Sequence, residues 1–205
     1  MGKHRYNAIF CTLALLFLAG CGDHGVQGHG AKAIAEPSAV IPYDPLPSRS
    51  TSPIEAGIWS VVRIVDGDTL IVGDGEDRSK QYRIRLIGAD APELARGSTP
   101  AEPYANEATE LVRGLISQAG GKVRLSFDGE QIDRYNRVLA MVYVQTSAGE
   151  VWLNELLIRE GLAHARLDYR YSHGSKLAFA IAEVEARKQR RNLWSFGIDG
   201  IGGKQ

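Results

Sequence analysis

Tyr82-Arg83-Ile84-Arg85-Leu86-Ile87-Gly88-Ala89-Asp90-Ala91-Pro92-Glu93 runs from an alternating strand pattern directly into a pair of carboxylates. A strand repeats every two residues, so Ile84 and Leu86 share one face and Arg83 and Arg85 the other, where a guanidinium can meet an anion. Gly88 lets the chain bend after the strand, and Pro92 stiffens the exit that presents Glu93. Taken alone, the stretch reads equally as a half-buried strand with solvated arginines and a Pro-Glu turn. The elements on either side decide between the two.

Upstream, 58–65 and 69–72 are rich in β-branched residues and flank Asp66-Gly67, which predicts a hairpin. A polar turn at 73–77 then leads into the strand 81–87. Downstream, Ala108, Leu111, Val112, Leu115 and Ile116 recur at helical spacing, and Gly120-Gly121 closes that helix. Strands follow at 123–127 and 138–144, separated by the polar loop 128–137. A second helix is expected at 152–160, stopped by Gly161, and a third at 176–190 with Leu177, Ala180, Ile181 and Val184 turned inward. Three strands, a helix, two strands and two helices fit an α+β domain with a mainly β core: a five-stranded barrel of the OB type with three packed helices. An open antiparallel sheet with helices on one face is the alternative architecture.

The chain of 205 residues suits one such domain, at 56–198, with extra segments and a short tail at 199–205. Its 24 basic and 24 acidic side chains balance, which excludes a permanently nucleic-acid-coating basic protein and leaves local charge to make any such contact. Residues 1–20 read as an export signal, with Lys3, His4 and Arg5 ahead of an apolar run too short to span a bilayer comfortably. That run closes on Leu18-Ala19-Gly20-Cys21, which resembles the lipobox of bacterial lipoproteins. The resemblance implies that Cys21 becomes the lipidated first residue and, with Gly22 next to it, that the protein goes to the outer membrane, on either leaflet. An ordinary cleaved signal with a chance cysteine is the alternative. Cleavage before Cys21 removes Cys11, so no intrachain disulfide is expected. Residues 21–55 read as a flexible Gly/Pro/Ser-rich tether, in which His24 and His29 lack partners at metal-site spacing.

Four stretches, taken together and in order, resemble the staphylococcal nuclease (thermonuclease) family. They are Val65-Asp66-Gly67-Asp68-Thr69; Arg85 through Glu93; Asp133-Arg134-Tyr135-Asn136-Arg137-Val138-Leu139-Ala140; and Asn154-Glu155-Leu156-Leu157 through Gly161-Leu162-Ala163. Asn192-Leu193-Trp194 also fits. The resemblance implies a calcium-dependent enzyme that hydrolyses DNA and RNA with little sequence preference, leaving a 3′-phosphate and a 5′-hydroxyl. It implies Asp68 and Asp90 as calcium ligands, with the Ala91 backbone carbonyl as a third. It also implies Arg85 and Arg137 on the phosphate, Glu93 near the attacking water, Arg134 near a substrate phosphate and Tyr135 beside the nucleotide; Tyr169, in a loop near the barrel mouth, can stack on a base. Independently of the family, a hard cation takes several oxygens, and two guanidiniums suit a phosphorus centre that gathers negative charge. Glu93 can act as general base or can orient the water.

Each residue also has a plainer reading: Asp68 capping the hairpin, Arg137 opening a strand, Arg134 exposed in a loop, Tyr135 and Tyr169 simply packing. Arg187, Lys188, Arg190 and Arg191 read first as a solvated helix end that complements the dipole, and second as a nucleic-acid contact. Asn136 stands where the family usually has glycine, and asparagine tolerates the left-handed backbone such a turn needs. A non-catalytic OB-type binding module and a structural envelope lipoprotein are the competing functions. No protein partner is evident, and nothing in the sequence demands more than a monomer.

Overall fold

Strand β1 (Gly57–Ile64) turns at 65–68 into β2 (Thr69–Gly73), and β2 pairs antiparallel with β3 (Gln81–Leu86), matching Thr69 to Arg85 and Leu70 to Ile84. The computed structural model describes residues 54–73 and 80–195. The expected signal (1–20), Cys21, most of the tether, the turn after Gly73 and the tail (199–205) lie outside the described residues.

Helix α1 (Ala105–Gln118) follows β4 (Ala89–Asp90), and β5 (Lys122–Ser126) then pairs antiparallel with both β1 and β6 (Val138–Thr146). The ring closes where β6 meets β3 in parallel, with Ile84, Arg85 and Leu86 opposite Val138, Leu139 and Ala140. The result is the expected five-stranded closed barrel, mixed rather than purely antiparallel because of this one closing pair. Beyond it, β7 (Gly149–Trp152) extends β6 as a hairpin, and α2 (Leu153–Arg159), β8 (His164–Ala165), α3 (His173–Lys188) and a 3-10 turn (Asn192–Trp194) complete the domain.

The alternation read in the sequence fills the barrel. Leu70, Val72, Ile84, Leu86 and Val142 are fully buried inside it, and Ala108, Val112 and Ile116 of α1 cover one side, as the helical spacing predicted. Asn154 of α2 is equally buried and fully satisfied. Its Oδ1 accepts from Val142 N at 2.8 Å, and its Nδ2 donates to Ile87 O at 2.9 Å and Ala140 O at 3.2 Å. One amide thus ties the end of β3 to β6 from outside the ladder, where an unpaired backbone group would cost about 1–3 kcal/mol.

Two expectations are corrected. The second helix starts one residue later than predicted, because Trp152 is the last residue of β7 and stacks on Tyr143 across the hairpin. The third helix begins at His173, where the Ser172 hydroxyl accepts from Ser175 N, and its buried residues are Phe179, Ala182 and Ala186. Leu177, Ile181 and Val184, predicted to turn inward, are exposed. This helix is apolar on two sides, so periodicity alone could not choose between them; the bulk of Phe179 against Trp152 and Tyr171 decides.

Two glycines set how closely the site is built. A Cβ on Gly67 would lie 2.8 Å from Ala108 Cβ and 2.9 Å from Ala91 Cβ, so the 65–68 turn rests directly on α1 and on the residue after Asp90. Gly88 has φ 79°, and a Cβ there would strike the Phe179 ring at 2.4 Å, which presses the end of β3 onto α3.

Candidate active site

One end of the barrel gathers the 65–68 turn, the ends of β3 and β4, the 133–137 turn and the segment after β8. Between them lies a cleft of about 700 Å³ lined by Arg85, Asp90, Glu93, Arg134, Tyr135, Arg137 and Tyr169. These are seven of the residues singled out in the sequence. Asp68 lies beneath, 1% exposed and joined to the cleft through Arg85.

Arg85 is the hub. The sequence placed it on the outer face of β3, and it is there, but carboxylates cover it to 6% exposure. Its Nη1 donates to Asp68 Oδ1 and its Nη2 to Asp90 Oδ1. Asp68 also accepts from Thr69 Oγ1 at 3.0 Å and, through Oδ2, from Ala91 N at 2.7 Å. Burial pushes the Asp68 carboxyl up to about 7; Arg85 pulls it down, and the neighbouring Asp66 and Asp90 carboxylates push it further up. Burial opposes the charge on Arg85, but Asp68 and Asp90 outweigh it, and the guanidinium is held above its usual range.

In the structure the positive charge between these carboxylates is the Arg85 guanidinium. Asp68 and Asp90 converge on a single fork and offer only hard oxygens. Among the described residues no group of three or more His, Cys, Asp or Glu side chains converges on one point. Two carboxylates with only hard oxygens fit a hard divalent ion that would complete its shell from backbone carbonyl, water and phosphate.

Glu93 starts a loop whose ends are fastened together: Glu93 N donates to Glu102 Oε2 at 2.9 Å, and Glu102 N donates to Glu93 O at 3.0 Å. Arg96 Nη2 lies 3.0 Å from Glu93 Oε2 and 3.3 Å from Asp66 Oδ2, holding the carboxylate toward the 65–68 turn.

On the other wall, Asp133 organises the turn that aims Arg137. Its Oδ1 accepts from Tyr135 N at 2.8 Å and Arg137 N at 2.9 Å, and its Oδ2 accepts from Arg137 Nε at 2.7 Å. Asn136 has φ 59°, the left-handed conformation for which the asparagine was read as a substitute for glycine. Arg134 and Arg137 both lie over the Tyr135 ring, at 4.8 and 5.4 Å from its centroid.

Several lining residues were not assigned from the sequence. Arg83, given no role there, lines the same cleft, as do Glu130, Arg166 and Asp168. Arg166 reaches Asp90 across 76 positions and Arg96 reaches Asp66 across 30, separations at which no local spacing rule signals contact.

A small mixed β-barrel flanked by helices, with an acid-and-arginine cleft at one end, is an OB-like α+β fold. A family model described as staphylococcal nuclease homologue matches residues 83–196. The chain belongs to the staphylococcal nuclease family. It is 36% identical over 151 residues to a thermonuclease of Staphylococcus hyicus, covering 74% of this chain and 83% of that one. A thermonuclease of Staphylococcus intermedius is 34% identical over 147 residues, covering 71% of this chain and 81% of its own. A protein named endonuclease YncB, from Bacillus subtilis (strain 168), is 29% identical over 209 residues and covers 95% of this chain and 93% of its own.

Proposed function

We propose that the protein is a calcium-dependent nuclease that hydrolyses DNA and RNA with little sequence preference, tethered outside the cytoplasm by a lipid on Cys21. Its place in the nuclease family carries the hydrolase activity on nucleic acid. The observation that carries the chemistry is the convergence of Asp68 and Asp90 on the Arg85 fork, in a cleft that also holds Glu93 and Arg137.

Asp68, Asp90 and the Ala91 carbonyl would hold the calcium, which when bound supplies positive charge against the non-bridging phosphate oxygens. The protein's own residues do the rest. Arg137 presents a planar fork to a phosphorus centre whose oxygens gain charge in the transition state, and Arg85, whose Nη atoms lie on Asp68 and Asp90, would join it once a cation takes those carboxylates, both binding that state more tightly than the substrate. Arg137 lines the cleft and is held by Asp133 through its Nε, a bond that does not use its Nη atoms. Glu93, fixed by Glu102 and Arg96, accepts a proton from the attacking water or orients it. Tyr135 and Tyr169 offer ring faces to the nucleotide, with Arg134 beside its phosphate.

Digestion of single-stranded DNA and RNA by the purified protein in calcium tests this reading. Both are expected to fall to short fragments. Intact nucleic acid that nevertheless binds tightly would replace the enzyme with a binding module.

The anchor rests on Leu18-Ala19-Gly20-Cys21 behind the apolar run, a pattern of the lipoprotein family. Several acyl chains at about 0.8 kcal/mol per buried methylene hold a protein firmly at a bilayer. Cys21→Ser is expected to move the protein from the membrane to the soluble fraction or to leave its signal unprocessed; unchanged fractionation would rule the anchor out.

A further inference from the structure

Arg166 stands three positions beyond Gly161-Leu162-Ala163 and belongs to none of the family segments, yet the fold fixes it at the cleft. Its N–H donates to Gly88 O at 2.8 Å, and its carbonyl accepts from the Tyr171 hydroxyl at 2.7 Å, so its backbone is pinned to the strand end that leads to Asp90. Its side chain is aimed as well. Nε donates to Asp168 Oδ1 at 2.9 Å and Nη2 to Asp168 Oδ2 at 2.8 Å, a bidentate pair that leaves Nη1 facing Asp90 Oδ2 at 3.3 Å.

Asp90 is therefore shared. Arg85 takes one of its oxygens from the buried floor, and Arg166 takes the other from the rim, where its side chain is 43% exposed. An ion pair so open to water contributes little to stability, so folding alone does not account for an arginine oriented this carefully beside the reacting centre. A polynucleotide carries a phosphate at every nucleotide, and a strand whose scissile phosphate lies at Arg85 must leave the cleft over the rim. The Tyr169 ring, 5.8 Å from the Arg166 guanidinium, adds a stacking face at the same place.

We propose that Arg166, oriented by Asp168, grips the phosphate next to the scissile one and so favours polynucleotide chains over isolated diesters. The proposal rests on the nuclease reading, with the scissile phosphate at Arg85.

Binding is the readout that separates the two. The full chain carrying Glu93→Gln, to suppress cleavage, is titrated in calcium with a fluorescein-labelled single-stranded DNA of about a dozen nucleotides at several salt concentrations. Adding Arg166→Ala is expected to weaken binding about tenfold and to make the slope of log Kd against log salt shallower by about 0.7, one phosphate contact on a single strand. Adding Arg166→Lys instead keeps the charge without the fork, so the slope stays near that of the parent while part of the affinity is lost; this variant carries the test if the alanine variant does not fold. Equal affinity and slope in parent and Arg166→Ala would overturn the proposal. So would weaker binding with an unchanged slope, which marks a structural role. A Glu93→Gln parent that fails to bind DNA at all would instead overturn the nuclease reading beneath it.

Discussion

Arg85→Ala is expected to slow cleavage by about 10³–10⁵-fold, the range that a single phosphate-stabilising arginine commands in other phosphoryl-transfer enzymes. The same substitution removes the guanidinium between Asp68 and Asp90 on the floor of the cleft, leaving Asp68 buried without its charge partner. Breaking a buried pair from one side costs roughly 3–5 kcal/mol, so urea unfolding in chelator is expected to show a loss of that size. Calcium bound between the two carboxylates, as proposed, would supply the missing positive charge, and its addition is expected to recover part of the loss. This two-part signature distinguishes the site arginine from an ordinary structural one. Single-turnover rates within tenfold of wild type would remove Arg85 from the chemistry, and stability in chelator equal to wild type would remove it from the carboxylate pair.

Glu93→Gln is the second large effect, with kcat expected to fall by about 10²–10⁴-fold while KM moves by no more than a few-fold. The amide keeps the shape of the side chain and can still accept from Arg96, and the backbone ties to Glu102 are untouched, so the loop stays where it is. What is lost is a carboxylate able to take a proton. Steady-state rates over a range of substrate concentrations check this by separating kcat from KM. A kcat unchanged by the substitution would leave Glu93 outside the reaction.

Much of this was legible because strands and turns announce themselves locally. The alternation of Ile84 and Leu86 with Arg83 and Arg85 is a property of four consecutive residues, all within β3. The left-handed Asn136 and the hairpin at Asp66-Gly67 are likewise local, since backbone conformation there depends on one or two side chains. What escaped depends on contacts between distant segments. The parallel closure of β3 on β6 has no signature in either strand. The buried side of α3 was misread because Leu177, Ile181 and Val184 form as good a stripe as Phe179, Ala182 and Ala186, and only the aromatic neighbours of Phe179 select between them. Arg96 and Arg166 look like any exposed arginine in a loop until the barrel brings Asp66, Glu93 and Asp90 to them.

The account stands or falls on Asp68 and Asp90 acting as a cation site that the arginines and Glu93 surround. Cleavage of single-stranded DNA by the full chain, followed in parallel with calcium and with an excess of chelator, addresses it most directly. Degradation in calcium, none in chelator, and recovery when calcium is restored is the expected result; equal cleavage in both would contradict it.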